Sequence, residues 1–277
     1  MANEKTKKMS RVRILTECAV LLALGTVLSF VKLADLPAGG SVTCASMMPL
    51  VILAWRHGWK WGLGCGVVWG AVQQLVGLGT LSYVTTWQSV VAVILLDYVV
   101  AFAVLGLAGV FRGKLPDGAS MAAGALLGCA LRYACHVISG ATVWAGLSIP
   151  TEAALIYSFS YNATYMVPET VILVLTVAYI GSALDFTRDL PVRRQVAFFC
   201  GARGWLNIAA GLALLGGAVF DTLMIFTSLQ NPESGEFDIT RLGGADWGLI
   251  GIVTGACVLV AAVLFFIGRA LGRKMRA

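Results

Sequence analysis

The chain has 277 residues, of which 58% are apolar and only 12% charged, about half the charged share of a soluble domain. With a mean hydropathy of +0.85, this balance excludes an ordinary soluble protein and points to a polytopic all-α membrane protein. The net charge of +6 is spread over short loops with no single patch, which excludes nucleic-acid binding.

Residues 1–12 form a basic tail. The apolar stretch behind it outruns a signal-peptide core and lacks a small-residue cleavage pattern, so the tail is expected to stay on the chain. Stretches long enough to span, about 20 residues each, then predict eight helices. They lie roughly at 13–33, 42–56, 60–77, 88–111, 119–145, 153–183, 196–227 and 246–270. The second and third are short and joined by the tight turn WRHGWKWG. Gly62, Gly64, Gly66 and Gly70 of the third suit close helix packing.

The seven cysteines are odd in number and form no CxxC pair. They read as small buried hydrophobes, so no metal site, disulfide framework or cofactor is expected.

Orientation follows the distribution of Lys and Arg. Lys5, Lys7, Lys8, Arg11 and Arg13 lie at the N-terminus. Arg56 and Lys60, Arg112 and Lys114, and Arg188, Arg193 and Arg194 follow helices two, four and six. Arg269, Arg273, Lys274 and Arg276 close the chain, and only Lys32 and Arg241 fall on the other side. Both termini are therefore expected in the cytoplasm, in agreement with an even number of spans.

Polar groups inside lipid-exposed lengths are costly and mark function. Helix four carries Asp97-Tyr98 inside a Val- and Leu-rich run, about 13 Å below its outer end at 1.5 Å per residue. Helix five repeats Arg132, His136, Gly140 and Trp144 on one face, with His136 roughly 12 Å deep. Helix six places Tyr157 about 6 Å and Asn162 about 13 Å in, beside the stripe Tyr157, Tyr161, Tyr165. Three helices thus supply one outer-leaflet layer, which predicts a pocket open to the outside. One carboxylate among aromatic faces suits a flat organic cation. The structural alternative is an Asp97–Arg132 ion pair with aromatic packing.

Several blocks carry a resemblance: GGSVTCASMMPL at 39–50, RHGWKWGLGCGVVWG, LLDYVVAF at 95–102, LGLAGVF at 105–111, RYACHVISG at 132–140 and YSFSYNATYMVPE at 157–169. Together, over about residues 10–185, they closely resemble the thiamine-specific substrate-binding component (S-component) of energy-coupling factor transporters. The resemblance implies a six-helix membrane core over 13–185 that binds thiamine from outside. It also implies a partner set of one transmembrane coupling protein and two cytoplasmic ATPases, with no enzymatic activity in this chain. Residues 186–277 would be an extension with two further membrane helices, and the location would be a bacterial cell membrane.

Carried onto this sequence, the resemblance makes Asp97 and Tyr98 the acidic-aromatic pair. His136 and Trp144 would stack on the ligand rings, and Tyr157 and Asn162 would bind an aminopyrimidine edge. Arg132, deeper and itself a cation, would brace Asp97. Ala19 and Ala23 match the small-residue motif of helix one that meets the coupling protein. Some relatives place a lid tryptophan where this chain has Gly39-Gly40, so Gly39-Gly40-Ser41 or Trp87 would close the pocket here.

Other functions remain open at this point. The chain could serve another flat vitamin or a thiamine precursor. It could be a self-sufficient secondary transporter, although no internal repeat is visible. An intramembrane hydrolase using Ser139 and His136 would lack a clear orienting partner.

Overall fold

The computed structural model describes residues 10–35, 40–145, 147, 154–194, 201–229 and 239–274. Lys5, Lys7, Lys8, Gly39, Cys200 and Arg276, with the expected starts of helices six and seven at 153 and 196, lie outside the described residues.

Helix α1 (Arg11–Ser29) begins where the Ser10 hydroxyl accepts the Arg13 backbone N–H at 3.3 Å, an ordinary N-cap. Strands β1 (Lys32–Asp35) and β2 (Ser41–Thr43) follow as an antiparallel hairpin. The expectation of a helix from residue 42 is corrected here, because α2 (Met48–His57) starts six residues later. Pro49 in its first turn, where the missing N–H costs nothing, and the pairing of Ser41–Thr43 with β1 explain the delay.

Gly58, at φ +93°, turns the chain into α3 (Trp59–Val76). Helix α4 (Trp87–Phe111) is continuous but uneven. It opens as α-helix, widens to a π turn over Ile94–Val99, and tightens to 3-10 geometry over Val104–Phe111. Asp97 sits in the π turn, and such bulges are frequent at functional sites. Helices α5 (Asp117–Thr142) and α6 (Ala154–Ala183) complete the central group. After the short pair β3 (Leu184–Asp185) and β4 (Val192–Arg193) come α7 (Gly201–Leu229) and α8 (Trp247–Lys274).

Six of these helices are long and apolar enough to cross a membrane: α1, α4, α5, α6, α7 and α8. The ten residues of α2 reach about 15 Å, half of a ~30 Å hydrocarbon core. The expected second and third spans, α2 and α3, are not among the helices long and apolar enough to cross.

Glycines set the spacing of the centre. Gly62, Gly66 and Gly70 lie one turn apart on α3 and face the α4 backbone at Gly106, Phe102 and Tyr98. A Cβ at Gly66 would lie 2.6 Å from the Phe102 carbonyl oxygen and 2.7 Å from the Ala103 Cα. Gly66→Ala is therefore expected to cost about 1–3 kcal/mol as the helices separate, read as a lower thermal midpoint in detergent. Beneath this contact the core is filled by Trp55, Trp69, Leu50, Leu53, Leu105, Met121 and Leu173, all fully buried.

A polar clasp closes the end opposite the hairpin. Arg56, buried, donates to both Glu17 oxygens at 2.8 and 3.1 Å and to the carbonyls of Phe186, Arg188 and Asp189 at 2.6–2.8 Å. His57 Nε2 lies 2.9 Å from the same Glu17. This ties α1, α2 and the β3–β4 segment together.

The candidate ligand pocket

Between the β1–β2 hairpin and helices α3 to α6 lies a cavity of about 530 Å³, within the range of small-molecule sites. The seven expected ligand residues, Asp97, Tyr98, Arg132, His136, Trp144, Tyr157 and Asn162, all line it. Helical periodicity put them on facing stripes, and the contacts of Gly124 and Gly128 on α5 with Ala108 and Leu105 on α4 bring two of those stripes close together.

Asp97 is the hub. Its Oδ1 lies 3.1 Å from His136 Nδ1, and its Oδ2 accepts from Ser139 Oγ at 2.7 Å and Trp144 Nε1 at 3.1 Å. A carboxylate offers about four lone-pair sites, so three donors leave one for a ligand. His136 Nε2 is buried without a hydrogen-bond partner.

Ser139 is fully buried and does not line the cavity; it is a ligand of Asp97, not a nucleophile beside a base.

The expected Asp97–Arg132 pairing is not found. Arg132 Nη1 lies 3.1 Å from Glu169 Oε2 and 3.3 Å from Met47 Sδ, and its guanidinium stands 4.7 Å over the Phe102 ring. Arg132 is one turn deeper on α5 than His136, so it meets the level of Glu169 while His136 takes Asp97. Glu169, at the end of the block YSFSYNATYMVPE, is a pocket residue that helical spacing does not single out. It lines the cavity floor at 3% exposure and accepts from Thr43 Oγ1 at 2.5 Å. Its signal was present: a carboxylate inside the run MVPETVILVL is as costly in lipid as Asp97 is.

The tyrosine stripe forms one wall. Tyr157 and Tyr161 stack with centroids 6.4 Å apart, and Tyr161 meets Tyr165 edge-on at 5.8 Å. Asn162 is largely engaged within the protein. Its Nδ2 donates to the Ser158 carbonyl at 2.8 Å and its Oδ1 accepts from Tyr165 at 2.6 Å. One lone pair of that oxygen remains for a ligand. Tyr98 reaches across to Thr80 with its hydroxyl at 3.2 Å.

Of the proposed lid, Gly40 and Ser41 line the cavity, whereas Trp87 is 72% exposed and does not. The Gly40 N–H donates to the Tyr161 hydroxyl at 3.2 Å, and a Cβ there would lie 2.7 Å from the Tyr165 ring. Backbone thus approaches the aromatic wall where a side chain would clash. Ala19 and Ala23 lie on the exposed side of α1, away from its buried Cys18 and Gly25.

Comparison with known proteins agrees with this architecture. The family model described as Thiamine transporter protein (Thia_YuaJ) matches residues 15–187. Thiamine transporter ThiT of Bacillus subtilis (strain 168) is 36% identical over 170 residues, covering 57% of this chain and 84% of that protein. Thiamine transporter ThiT of Lacticaseibacillus paracasei is 24% identical over 197 residues, covering 66% and 92%. A solved structure of ThiT from Listeria monocytogenes superposes with a TM-score of 0.52 at 22% identity, covering 61% of this chain and 93% of that one. That likeness shows the fold.

Proposed function

The chain belongs to the thiamine transporter protein family, a family of transporters and not of enzymes, and on that premise we propose that it captures thiamine as the S-component of an energy-coupling factor transporter. The observation that carries this is the Asp97 carboxylate held by three donors inside a cavity walled by aromatic rings.

Thiamine is a flat cation with an aminopyrimidine edge. Asp97 balances the charge with its remaining lone pair, while Trp144 and His136 present ring faces. Tyr157 and the free lone pair of Asn162 serve the pyrimidine edge, and Tyr98 closes the side toward α3. Arg132, neutralised by Glu169, shapes the floor and avoids placing a bare cation beside a cationic ligand. Residues 13–185 would form the binding unit, which the extent of the family match at 15–187 supports.

The decisive experiment is a titration of purified protein followed by tryptophan fluorescence. Saturable quenching by thiamine is expected. No response to thiamine, with binding of a different vitamin, would overturn the ligand assignment.

The partners would be a transmembrane coupling protein and two cytoplasmic ATPases, met through the exposed Ala19–Ala23 face of α1. Small residues allow close helix approach. Ala19→Leu with Ala23→Leu should spare thiamine affinity and abolish uptake in cells carrying the coupling proteins. Uptake by this chain alone in proteoliposomes would contradict that part. We read both termini as cytoplasmic from the Lys and Arg bias, in a bacterial cell membrane. Labelling of single cysteines at the two ends tests it.

A further inference from the structure

Helix α7 lies wholly beyond the matched region 15–187. Much of it faces outward: Trp205, Leu212 and Leu223 are exposed. Its last residue departs from that pattern. Leu229 is fully buried in a cluster with Ala154 and Tyr157, against which Trp144, Tyr161 and Ile225 pack. Three members of that cluster, Trp144, Tyr157 and Tyr161, line the ligand cavity from the other side.

We propose that the C-terminal extension braces the 13–185 binding unit from outside, with Leu229 and Ile225 of α7 acting as positioning residues for the aromatic wall of the pocket. This inference rests on the thiamine-binding function proposed above.

The physical basis is that a ring binds by where its face points. Trp144 contributes a face and also donates its indole N–H to Asp97 Oδ2 at 3.1 Å. It stands just past the end of α5, where its backbone is tied by its N–H to the Ser139 carbonyl at 3.3 Å and the direction of its ring is left to the side chains around it. Apolar side chains behind the indole and behind Tyr157 restrict their rotation. Rigid placement of contact groups raises affinity by lowering the ordering cost of binding.

Helix α8 secures the brace without reaching the pocket. Thr254 Oγ1 donates to Asp221 Oδ2 at 2.7 Å, and the Cys257 Cβ lies 3.0 Å from where a Cβ would stand on Gly217. A β-carbon at that glycine would be a tight contact, so α7 and α8 pack closely there. The extension is thus a helix that touches the wall and a second helix that holds the first.

The test uses the full chain carrying Leu229→Ala together with Ile225→Ala. Thiamine should dissociate roughly tenfold faster, since such losses fall mainly on the off-rate. Oxidative footprinting of the ligand-free protein should show Trp144 more heavily labelled than in the wild type. Leu229→Met, which refills the space, should restore both. Leu175→Ala loosens α7 against α6 at Gly211, about 27 Å along the helix from Leu229, and should change neither.

An unchanged dissociation rate and unchanged Trp144 labelling in the double variant would overturn the proposal. An equal effect of Leu175→Ala would overturn it too, by showing general loosening of α7. If the wild type binds no thiamine, the proposed function fails, and the footprinting alone then decides whether α7 braces the wall.

Discussion

Glu169→Ala should lower the stability of the ligand-free protein by about 3–5 kcal/mol, the usual cost of removing one partner from a buried ion pair. Both side chains are withdrawn from water, Arg132 at 11% and Glu169 at 4% side-chain exposure. Without the carboxylate, the guanidinium keeps only the Met47 sulfur and the Phe102 ring, and its Nε is already without a partner. Thr43 would lose one of its two side-chain partners, keeping Ser46, while Val42 still packs β2 against Tyr165 and Met166 of α6. Thermal unfolding in detergent reads the loss. Arg132→Met combined with Glu169→Leu should recover most of it, because an apolar pair of similar volume carries no desolvation cost. A single variant as stable as the wild type would mean that this pair is solvated.

Asp97→Asn should weaken thiamine binding by about 1–3 kcal/mol, the range for losing one charge-assisted partner in a partly dry site. The substitution keeps the volume but replaces one acceptor oxygen with an N–H₂ donor. That group would face the donors of His136, Ser139 or Trp144. Ligand affinity should therefore fall through two routes, loss of charge and a misplaced indole. Isothermal titration against thiamine and against an uncharged analogue separates them. A penalty confined to the cation reports the charge, and one shared by both ligands reports the wall. Unchanged affinity for both would remove Asp97 from the site.

Two features of the chain make the pocket legible in its sequence. Asp97 and His136 stand in apolar runs where only function or pairing explains a polar side chain. Four-residue spacing put Arg132 and His136 on one face of α5; Trp144, expected on the same face, stands two residues past the end of that helix, and all three line the same cavity. Depth along a helix is a local quantity set by rise per residue, so one sequence suffices to estimate it. Membership of the pocket was legible for the same reason.

Pairing inside the pocket was not. Sequence spacing says which way a residue points from its own helix axis, but not how two helices are rotated and shifted against each other. Here Gly124 and Gly128 let α5 approach the α4 backbone at Ala108 and Leu105, and the π turn over Ile94–Val99 shifts the register of α4 around Asp97. Those tertiary facts give Asp97 to His136 and leave Arg132 to Glu169. The strand Ser41–Thr43 had the same cause. Its apolar neighbours fitted a helix equally well, and only pairing with β1 decided otherwise.

Composition, hydropathy and helical period by themselves determined a membrane protein with a polar layer at one depth and the residues that line it. The tertiary structure alone decided which carboxylate meets which cation, that the hairpin and Gly40 backbone cover the cavity, and that the last turn of α7 stands behind its aromatic wall. Each of these depends on contacts between segments far apart in the chain. Such contacts follow from the sum of packing over the whole molecule, which no local pattern encodes.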